Sequence, residues 1–190
     1  MKRINLLIIA LVGALTLTLT SCDECKDVTC ENGGTCAEGT CECADDFYGD
    51  ACEVECVNGT YADGTCGCDA GYEGEACTVL SREDMIGSYT GNDACSETGA
   101  SSDYTSAVAA SSSTDDGVLV TGLWAGFFIN TITGTVNGDV ITIADQDPDS
   151  DGYRIEGTGT YADGAIAWDF VVTETATSAV DQCTMSSTKQ

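Results

Sequence analysis

The chain has 190 residues with six basic and 32 acidic side chains, which gives a formal net charge of −26. This charge argues against nucleic acid as a partner, because binding it requires a cationic surface. The chain has no histidine, which excludes Ser-His and Cys-His nucleophile systems and removes the commonest metal ligand. No motif marks a catalytic pair among the scattered carboxylates, so we expect a protein that is not an enzyme.

The N-terminal segment has the pattern of an export signal. Lys2 and Arg3 precede an uncharged, mainly apolar run over residues 4–20, which is short for a membrane-spanning helix. The run leads into Leu-Thr-Ser-Cys at residues 19–22, which resembles the lipobox of bacterial lipoproteins. That resemblance implies removal of the first 21 residues and attachment of a diacylglycerol, with fatty acids such as palmitate, to Cys22. An ordinary signal peptide or an uncleaved anchor is the alternative.

The number of cysteines agrees with a lipidated Cys22. The chain has 13 cysteines, so one lipidated residue leaves twelve for six disulfides, the expected state in an exported protein. The acidic pair Asp23-Glu24 follows and resembles the surface-export tag of lipoproteins of the Bacteroidetes type. This resemblance implies a protein anchored by lipid to the outer membrane and facing the cell exterior.

Residues 22–53 contain a dense set of cysteines. Six of them follow the spacing C-x4-C-x5-C-x4-C-x-C-x8-C from Cys25 to Cys52, with E-N-G-G-T-C at residues 31–36 and F-Y-G-D-A-C at residues 47–52. The glycines suit tight turns that need positive φ. The pattern resembles the EGF-like family, so we assign a first EGF-like module here. The resemblance implies the disulfides Cys25–Cys36, Cys30–Cys41 and Cys43–Cys52.

Residues 54–78 repeat this pattern with two cysteines missing. Asn58-Gly59 matches the turn, Cys66-Gly67-Cys68 matches the C-x-C, and G-Y-E-G-E-A-C at residues 71–77 matches the ending. The missing positions bond to each other in the family, so the resemblance implies that Cys56–Cys66 and Cys68–Cys77 remain. We interpret this second, truncated EGF-like module and the first as a stalk or a protein-recognition region. The acidic ligand pattern of calcium-binding members is incomplete, and we expect no calcium in either module.

Residues 79–190 are rich in Ser, Thr, Gly and β-branched residues, and they predict a β-rich domain. One helical turn is expected over residues 81–86, with Ser81 as its N-cap. Asn137-Gly138 between β-branched runs predicts a tight hairpin. Sequential strands with short turns predict an all-β, antiparallel meander that closes as a barrel or sandwich. The predicted strands are Gly87–Thr90, Asp103–Ser111, Val118–Leu123, Gly126–Ile129, Thr131–Val136, Val140–Ala144, Tyr153–Tyr161, Ala165–Glu174 and Gln182–Ser186.

Cys95 and Cys183 lie near the two ends of this domain and are predicted to form a disulfide that ties its first strand to its last. The G-S-Y at residues 87–89, the hairpin T-G-T-V-N-G-D-V-I-T-I and the strand Y-R-I-E-G-T-G-T are similar to small lipoprotein domains of Bacteroidetes, some of them lipocalin-like. This resemblance carries no catalytic motif.

Two sets of residues are candidates for binding. Asp145, Asp147, Asp149 and Asp151 precede Gly152 in a D-x-D-x-D-G pattern like the start of an EF-hand calcium loop, although the closing acid is missing and a solvated acidic turn is the alternative. Calcium is the only candidate cofactor. Five aromatic residues are candidates either for a ligand mouth or for the core: Trp124, Phe127, Phe128, Trp168 and Phe170.

These observations predict a non-enzymatic, lipid-anchored cell-surface protein in which an EGF-like stalk displays a β-domain for interaction with a protein or surface, or for a structural role. The expected partners are the membrane, through the acyl anchor, and an unidentified protein or glycan. The alternatives are a lipocalin-like carrier of a small ligand, a calcium-stabilised adhesin and, least favoured, an unrecognised hydrolase.

Overall fold

The computed structural model describes residues 24–190, so the predicted signal segment and Cys22 lie outside the described residues. Every regular element described is a β-strand, apart from one short 3₁₀ turn. The prediction of an all-β chain is therefore confirmed. None of the helical structure within residues 24–190 is long and apolar enough to cross a membrane.

The cysteine-rich region consists of four small hairpins, in which a longer hairpin is followed each time by a shorter one. The longer hairpins are β1–β2 and β5–β6, and the shorter ones are β3–β4 and β7–β8. One longer and one shorter hairpin make up each EGF-like module, and the order is repeated once. The strands are β1 (Thr35–Ala37), β2 (Thr40–Glu42), β3 (Phe47–Tyr48), β4 (Val54–Glu55), β5 (Gly59–Ala62), β6 (Thr65–Cys68), β7 (Tyr72–Glu73) and β8 (Val79–Leu80).

The two modules share their covalent and hydrogen-bonded framework. Asn32 donates a side-chain hydrogen bond to the Cys52 carbonyl at 2.8 Å, and Asn58 donates the matching bond to the Cys77 carbonyl at 2.9 Å. The disulfides of the structure join the pairs that the sequence analysis gives, namely Cys25–Cys36, Cys30–Cys41, Cys43–Cys52, Cys56–Cys66, Cys68–Cys77 and, in the β-rich domain, Cys95–Cys183.

A tyrosine occupies the place of one missing cysteine in the second module. Tyr61 lies opposite Cys66 in the β5–β6 register, as Cys36 lies opposite Cys41 in β1–β2. Its ring stacks on Tyr48 of the first module, with centroids 5.1 Å apart and planes inclined by 13°. The position that lost a disulfide within the module therefore supplies a contact between the modules.

The shorter hairpin of each module crosses the boundary expected from the sequence. Val54–Glu55 pairs with Phe47–Tyr48 beyond residue 53, and Val79–Leu80 pairs with Tyr72–Glu73 beyond residue 78. The 3₁₀ turn that follows spans Glu83–Met85 and has Arg82 at its N-cap position. The predicted cap at Ser81 is wrong, because Arg82 occupies the N-cap position and Ser81 lies in the turn before it. Its buried hydroxyl makes no hydrogen bond within the described residues.

The β-rich domain is a closed antiparallel barrel of eight strands. Neighbours in sequence pair in turn from β11 to β17, and β9 closes the ring by pairing with both β11 and β17. The short β10 adds to the end of β9. The strands are β9 (Gly87–Cys95), β10 (Gly99–Ala100), β11 (Tyr104–Ala110), β12 (Gly117–Thr121), β13 (Ile132–Asn137), β14 (Val140–Gln146), β15 (Tyr153–Ala162), β16 (Ala165–Glu174) and β17 (Ala179–Lys189).

Three strand predictions differ substantially from the structure. The predicted last strand, Gln182–Ser186, extends from Ala179 to Lys189. The predicted strand at Gly126–Ile129 is wrong, because this segment belongs to the loop between β12 and β13. The first barrel strand extends to Cys95 instead of ending at Thr90. Its second half was not recognised because Asn92 and Asp93 are polar, although Tyr89, Gly91 and Asp93 alternate along the strand and are buried.

Side chains fill the barrel interior. Inward residues alternate with exposed ones along each strand, as on β16, where Ile166, Trp168, Phe170 and Val172 are buried. Small residues on β15 make room for the large ones. A Cβ on Gly159 would lie 2.6 Å from the Trp168 ring, so any larger residue at that position would have to displace the ring.

The two ends of the barrel differ. The stalk end comprises loops 111–116, 138–139 and 163–164, and the free end comprises loops 96–103, 122–131, 147–152 and 175–178. At the stalk end the Tyr72 hydroxyl of the second module donates to Asp115 at 2.6 Å, and Arg82 donates to the carbonyls of Ser111, Thr114 and Gly117. At the same end, the backbone amide of Gln190 donates to the Ser88 carbonyl at 2.9 Å.

Candidate functional site at the free end of the barrel

The loop over residues 122–131 has an unusual backbone. Trp124 and Ala125 both have positive φ, 54° and 53°, between Gly122 and Gly126 at 82° and 74°. Left-handed backbone is unfavourable for residues other than glycine and persists only where the surroundings hold it. The sequence gives no direct signal for it, and a β-strand was predicted over part of this loop for that reason.

Two buried carboxylates hold the loop. Asp93 on β9 and Asp181 on β17 are 2% and 6% exposed. Asp93 accepts hydrogen bonds from the Ala125 amide at 2.8 Å and from the Tyr104 hydroxyl at 3.0 Å. Asp181 accepts one from the Trp124 indole Nε1 at 3.1 Å. Both residues with left-handed backbone thus donate a hydrogen bond to an acidic side chain inside the barrel.

Asp181 has further donors that keep it ionised. The Thr98 hydroxyl donates at 2.6 Å, the Glu97 amide at 2.7 Å and the Ser96 hydroxyl at 3.3 Å. Burial by itself raises the pKa of Asp181, but these bonds and the one from Trp124 outweigh it and hold the pKa below its ordinary value. Asp181 therefore joins loop 96–103 to loop 122–131 as a carboxylate.

The two carboxylates flank the disulfide that closes the barrel. Cys183 lies directly opposite Cys95 in the β9–β17 register and is bonded to it. Asp93 precedes Cys95 by two residues and Asp181 precedes Cys183 by two residues, so all four side chains share the inward face of neighbouring strands. Sequence reasoning identified the cysteines but missed both acids, whose only signal is their place two residues from a cysteine.

Four aromatic side chains form a cluster at the free end, called the aromatic cluster here. Phe127 lies 4.6 Å from Trp124 and 5.1 Å from Tyr153 between ring centroids, both edge to face, and Trp124 lies 5.6 Å from Tyr153. Phe128 completes the cluster at 6.0 Å from Trp124. The structure thus brings together three of the predicted candidates and adds Tyr153. The other two, Trp168 and Phe170, belong to the barrel core.

The aromatic cluster opens onto an exposed apolar surface. Phe127 is 46% exposed, Ile129 90% and Val180 45%. Phe128, by contrast, is buried and fixes the cluster to the core. Apolar side chains that are exposed together and stand on a rigid base are typical of interaction surfaces.

Two grooves lie on either side of Trp124. The first has a volume of about 330 Å³ and the second about 210 Å³. Trp124 and Thr98 line both, so the indole forms the wall between them. The other lining residues of the first groove are Asp93, Gly99, Ala100, Ser101, Ala125 and Phe127, and those of the second are Glu97, Tyr153, Val172, Glu174, Ala179, Val180 and Asp181.

The acidic turn predicted as a calcium site lies beside these grooves, and its carboxylates bind protein groups. Asp145 accepts two hydrogen bonds from Arg154, at 2.8 and 2.7 Å. Asp149 accepts bonds from the amides of Ile129 and Asn130 at 2.9 and 2.7 Å. These amide bonds hold the pKa of Asp149 below its ordinary value. Asp149 thus links the turn to the loop that carries Ile129.

The other two carboxylates close the turn upon itself. Asp147 accepts bonds from the amides of Asp151 and Gly152, at 3.2 and 2.9 Å, and Asp151 accepts one from the Tyr153 amide at 3.1 Å. Among residues 24–190, this turn does not bring three ligand atoms within reach of one ion. The two groups that do converge both contain disulfide-bonded cysteines. The calcium assignment therefore gains no support from the geometry.

A wider groove of about 780 Å³ runs along the joint between the EGF-like modules. Asp45, Asp46 and Phe47 line it together with the stacked Tyr48 and Tyr61. The free end of the barrel is the stronger candidate site, because it exposes Phe127, Ile129 and Val180 and because buried hydrogen bonds hold the loop that carries Trp124.

The comparison with protein families supports the assignment of the cysteine-rich region. The Teneurin-like EGF domain matches residues 56–80, which is the second module including Val79–Leu80. The matched residues are a small part of the chain, and they agree with an exported protein that contains an EGF-like domain. Among curated proteins, none matches this chain.

Proposed function

We propose that this chain is a non-enzymatic, lipid-anchored cell-surface protein of bacterial origin, in which the EGF-like region is a stalk and the barrel presents its free end to a partner. One observation carries the proposal. The second EGF-like module contacts the stalk end of the barrel, whereas Phe127, Ile129 and Val180 are exposed at the opposite end. A partner approaching the free end therefore meets apolar side chains that the stalk does not cover.

The cysteine pairing supports the lipid anchor. Twelve of the 13 cysteines form six disulfides within residues 25–183, and the remaining one is Cys22. An unpaired thiol in an exported chain requires an explanation, and lipidation supplies one. The lipobox-like sequence before Cys22 supports the same modification, which would place the stalk next to the membrane and the free end away from it.

The filled barrel favours an interaction surface over a carrier. A lipocalin-like carrier requires interior side chains that leave a void, whereas large residues such as Tyr89 and Phe170 occupy the interior of this barrel and are fully buried. The grooves at Trp124 open at the end of the barrel instead. Binding at the free end needs no opening of the sheet.

The anchor is tested by growing bacteria that express the full chain with an alkyne-bearing fatty acid. We expect label on the protein and none on the Cys22→Ser variant, which should appear in the soluble fraction. Wild-type protein without label would contradict lipidation.

Surface display is tested separately with an epitope inserted between Ala176 and Thr177 in a free-end loop. Antibody staining of intact cells is expected to equal that of permeabilised cells. Staining that requires permeabilisation would contradict display at the cell exterior.

A further inference from the structure

We propose that the two grooves beside Trp124 bind a basic peptide segment of a partner protein, with cationic side chains against the indole and leucine-like side chains on the exposed apolar surface. This inference rests on the proposed function, because it names the partner chemistry for the free end.

The charged side chains in the loops of the free end are all negative. Its four loops contain five acids and no lysine or arginine. At the strand ends beside them, Asp93, Asp181 and Glu174 line the grooves, whereas the one arginine there, Arg154, is paired with Asp145. A surface of this charge attracts cations and raises their rate of association, and it repels anionic lipids and acidic proteins.

The aromatic faces have the chemistry that complements a cation. Trp124 divides the grooves, Phe127 lines the first, and Tyr153 lines the second beside Glu97 and Glu174. Guanidinium and ammonium groups bind favourably over aromatic rings, and tryptophan is the best of them. A carboxylate near the ring then accepts the hydrogen bonds of the cation.

The groove walls are held in place before any partner binds. Trp124 is bonded through its indole Nε1 to buried Asp181, and the next amide is bonded to buried Asp93. On the loop that carries Trp124, the Ile129 amide is also bonded to Asp149. Because these residues are already ordered, binding loses little conformational entropy, which favours affinity.

The exposed apolar side chains of the free end are the surface for the leucine-like side chains of the peptide. Phe127 lines the first groove and Val180 the second, and both are exposed, as is Ile129 on the same loop as Phe127. A segment with alternating basic and leucine side chains therefore satisfies both features. A neutral oligosaccharide would stack on the aromatic rings but would make no use of the charge. The charge therefore favours the basic peptide over a glycan.

Trp124 provides the readout. The chain has two tryptophans, and Trp168 is 3% exposed inside the barrel, so a ligand at the free end changes the fluorescence of Trp124. The probe is an acetylated pentapeptide of alternating arginine and leucine, titrated into the purified full-length protein in non-ionic detergent. The matched peptide carries neutral citrulline in place of each arginine. We expect a saturable change with the arginine peptide and binding about tenfold weaker with citrulline.

Variants locate the site. Glu97→Gln combined with Glu174→Gln removes two groove charges and is expected to weaken binding by about tenfold. The control, Asp139→Asn with Asp163→Asn, makes the same change of charge at the stalk end and should leave binding unchanged. Trp124→Phe should abolish the fluorescence change while Trp168 emission remains. Added salt should weaken binding of the wild-type protein, which tests the charge without any variant.

Several results would overturn the inference. They are equal affinity for the arginine and citrulline peptides, no binding of the arginine peptide, an equal loss in the stalk-end control, or tighter binding of a neutral hexasaccharide or of anionic vesicles. Fatty-acid labelling and surface staining are unaffected by any of them, so failure of this inference is distinguishable from failure of the proposed function.

Discussion

Asp181 accepts a hydrogen bond from the indole Nε1 of Trp124 at 3.1 Å, across two elements that are 57 residues apart in sequence. This bond joins the last strand of the barrel to the loop that carries the exposed apolar side chains. The same carboxylate also accepts bonds from loop 96–103. One buried acid therefore determines the arrangement of two free-end loops.

Asp181→Asn is expected to destabilise the barrel by about 1–3 kcal/mol, because an amide replaces a charged acceptor of several hydrogen bonds. It should also release Trp124, so the indole fluorescence should shift to longer wavelength and become more sensitive to acrylamide quenching. Urea unfolding and quenching measure the two effects. Asp169→Asn, which removes an exposed carboxylate from β16, is the control and should change neither.

The contribution of Asp181 should depend on pH. Its pKa is held below the ordinary value in the folded protein, so the unfolded chain binds this proton more tightly. The stabilisation is therefore complete above the unfolded pKa of about 4 and is lost as the pH falls through the folded pKa. Urea midpoints between about pH 2 and 6 should converge for the wild type and Asp181→Asn in acid. A constant difference down to pH 2 would contradict this prediction.

Loss of the disulfide between Cys95 and Cys183 should affect both stability and the free end. Replacing both by alanine removes a link between residues 88 apart in sequence, and we expect a loss of about 2–4 kcal/mol. Because Asp93 and Asp181 flank this disulfide, Trp124 quenching should increase even where the barrel remains folded. The paired variant Cys56→Ala with Cys66→Ala, within the stalk, should leave Trp124 quenching as in the wild type.

Gly159→Ala should destabilise the barrel by about 1–3 kcal/mol, because the added Cβ would lie 2.6 Å from the ring of Trp168. Thermal unfolding measures the loss, and near-ultraviolet circular dichroism should report a changed environment of Trp168. The neighbouring Thr158→Ala, at an exposed position on the same strand, is the comparison. Equal melting temperatures for the two variants would show that the barrel adapts to the methyl group.

Calcium should neither bind measurably to the acidic turn nor raise the melting temperature. Asp149 is engaged by the Ile129 and Asn130 amides, and Asp145 by Arg154. Calorimetric titration of calcium, with thermal melts in the presence and absence of chelator, tests this. Asp149→Ala should still lower the melting temperature, by less than Asp181→Asn, since two amides lose their acceptor. A saturable heat abolished by Asp149→Ala would instead establish a calcium site.

The regular strands of the barrel were largely predictable from the sequence, because their inward residues are apolar and alternate with polar ones. Val140–Ala144 and Ala165–Glu174 follow this pattern, and both occur as strands. The hairpin predicted from Asn137-Gly138 is present, although its turn is formed by residues 138–139 because Asn137 pairs with Val140. Gly138 supplies the positive φ, 55°, that such a turn needs. Local chemistry determines each of these features.

The candidate site was predictable only in part, because tertiary contacts determine it. Phe127 and Phe128 resemble a strand in sequence, yet they belong to a loop whose left-handed Trp124 and Ala125 are held by Asp93 and Asp181. Those acids are distant in sequence from the loop. The prediction of a calcium site in the acidic turn gained no support for a related reason. Its carboxylates accept hydrogen bonds from nearby backbone amides, and the spacing of the aspartates in the sequence does not reveal those bonds.

The start of β9 and the end of β17 lie side by side next to the stalk, where the backbone amide of Gln190 donates to the Ser88 carbonyl. A domain whose two boundaries adjoin can be moved by recombination as a single cassette without breaking the ring of strands. Substitutions and length changes in the four opposite loops leave that junction untouched. The architecture therefore separates the attachment of the barrel from the loops of its free end, so changes that alter recognition in those loops need not alter the attachment.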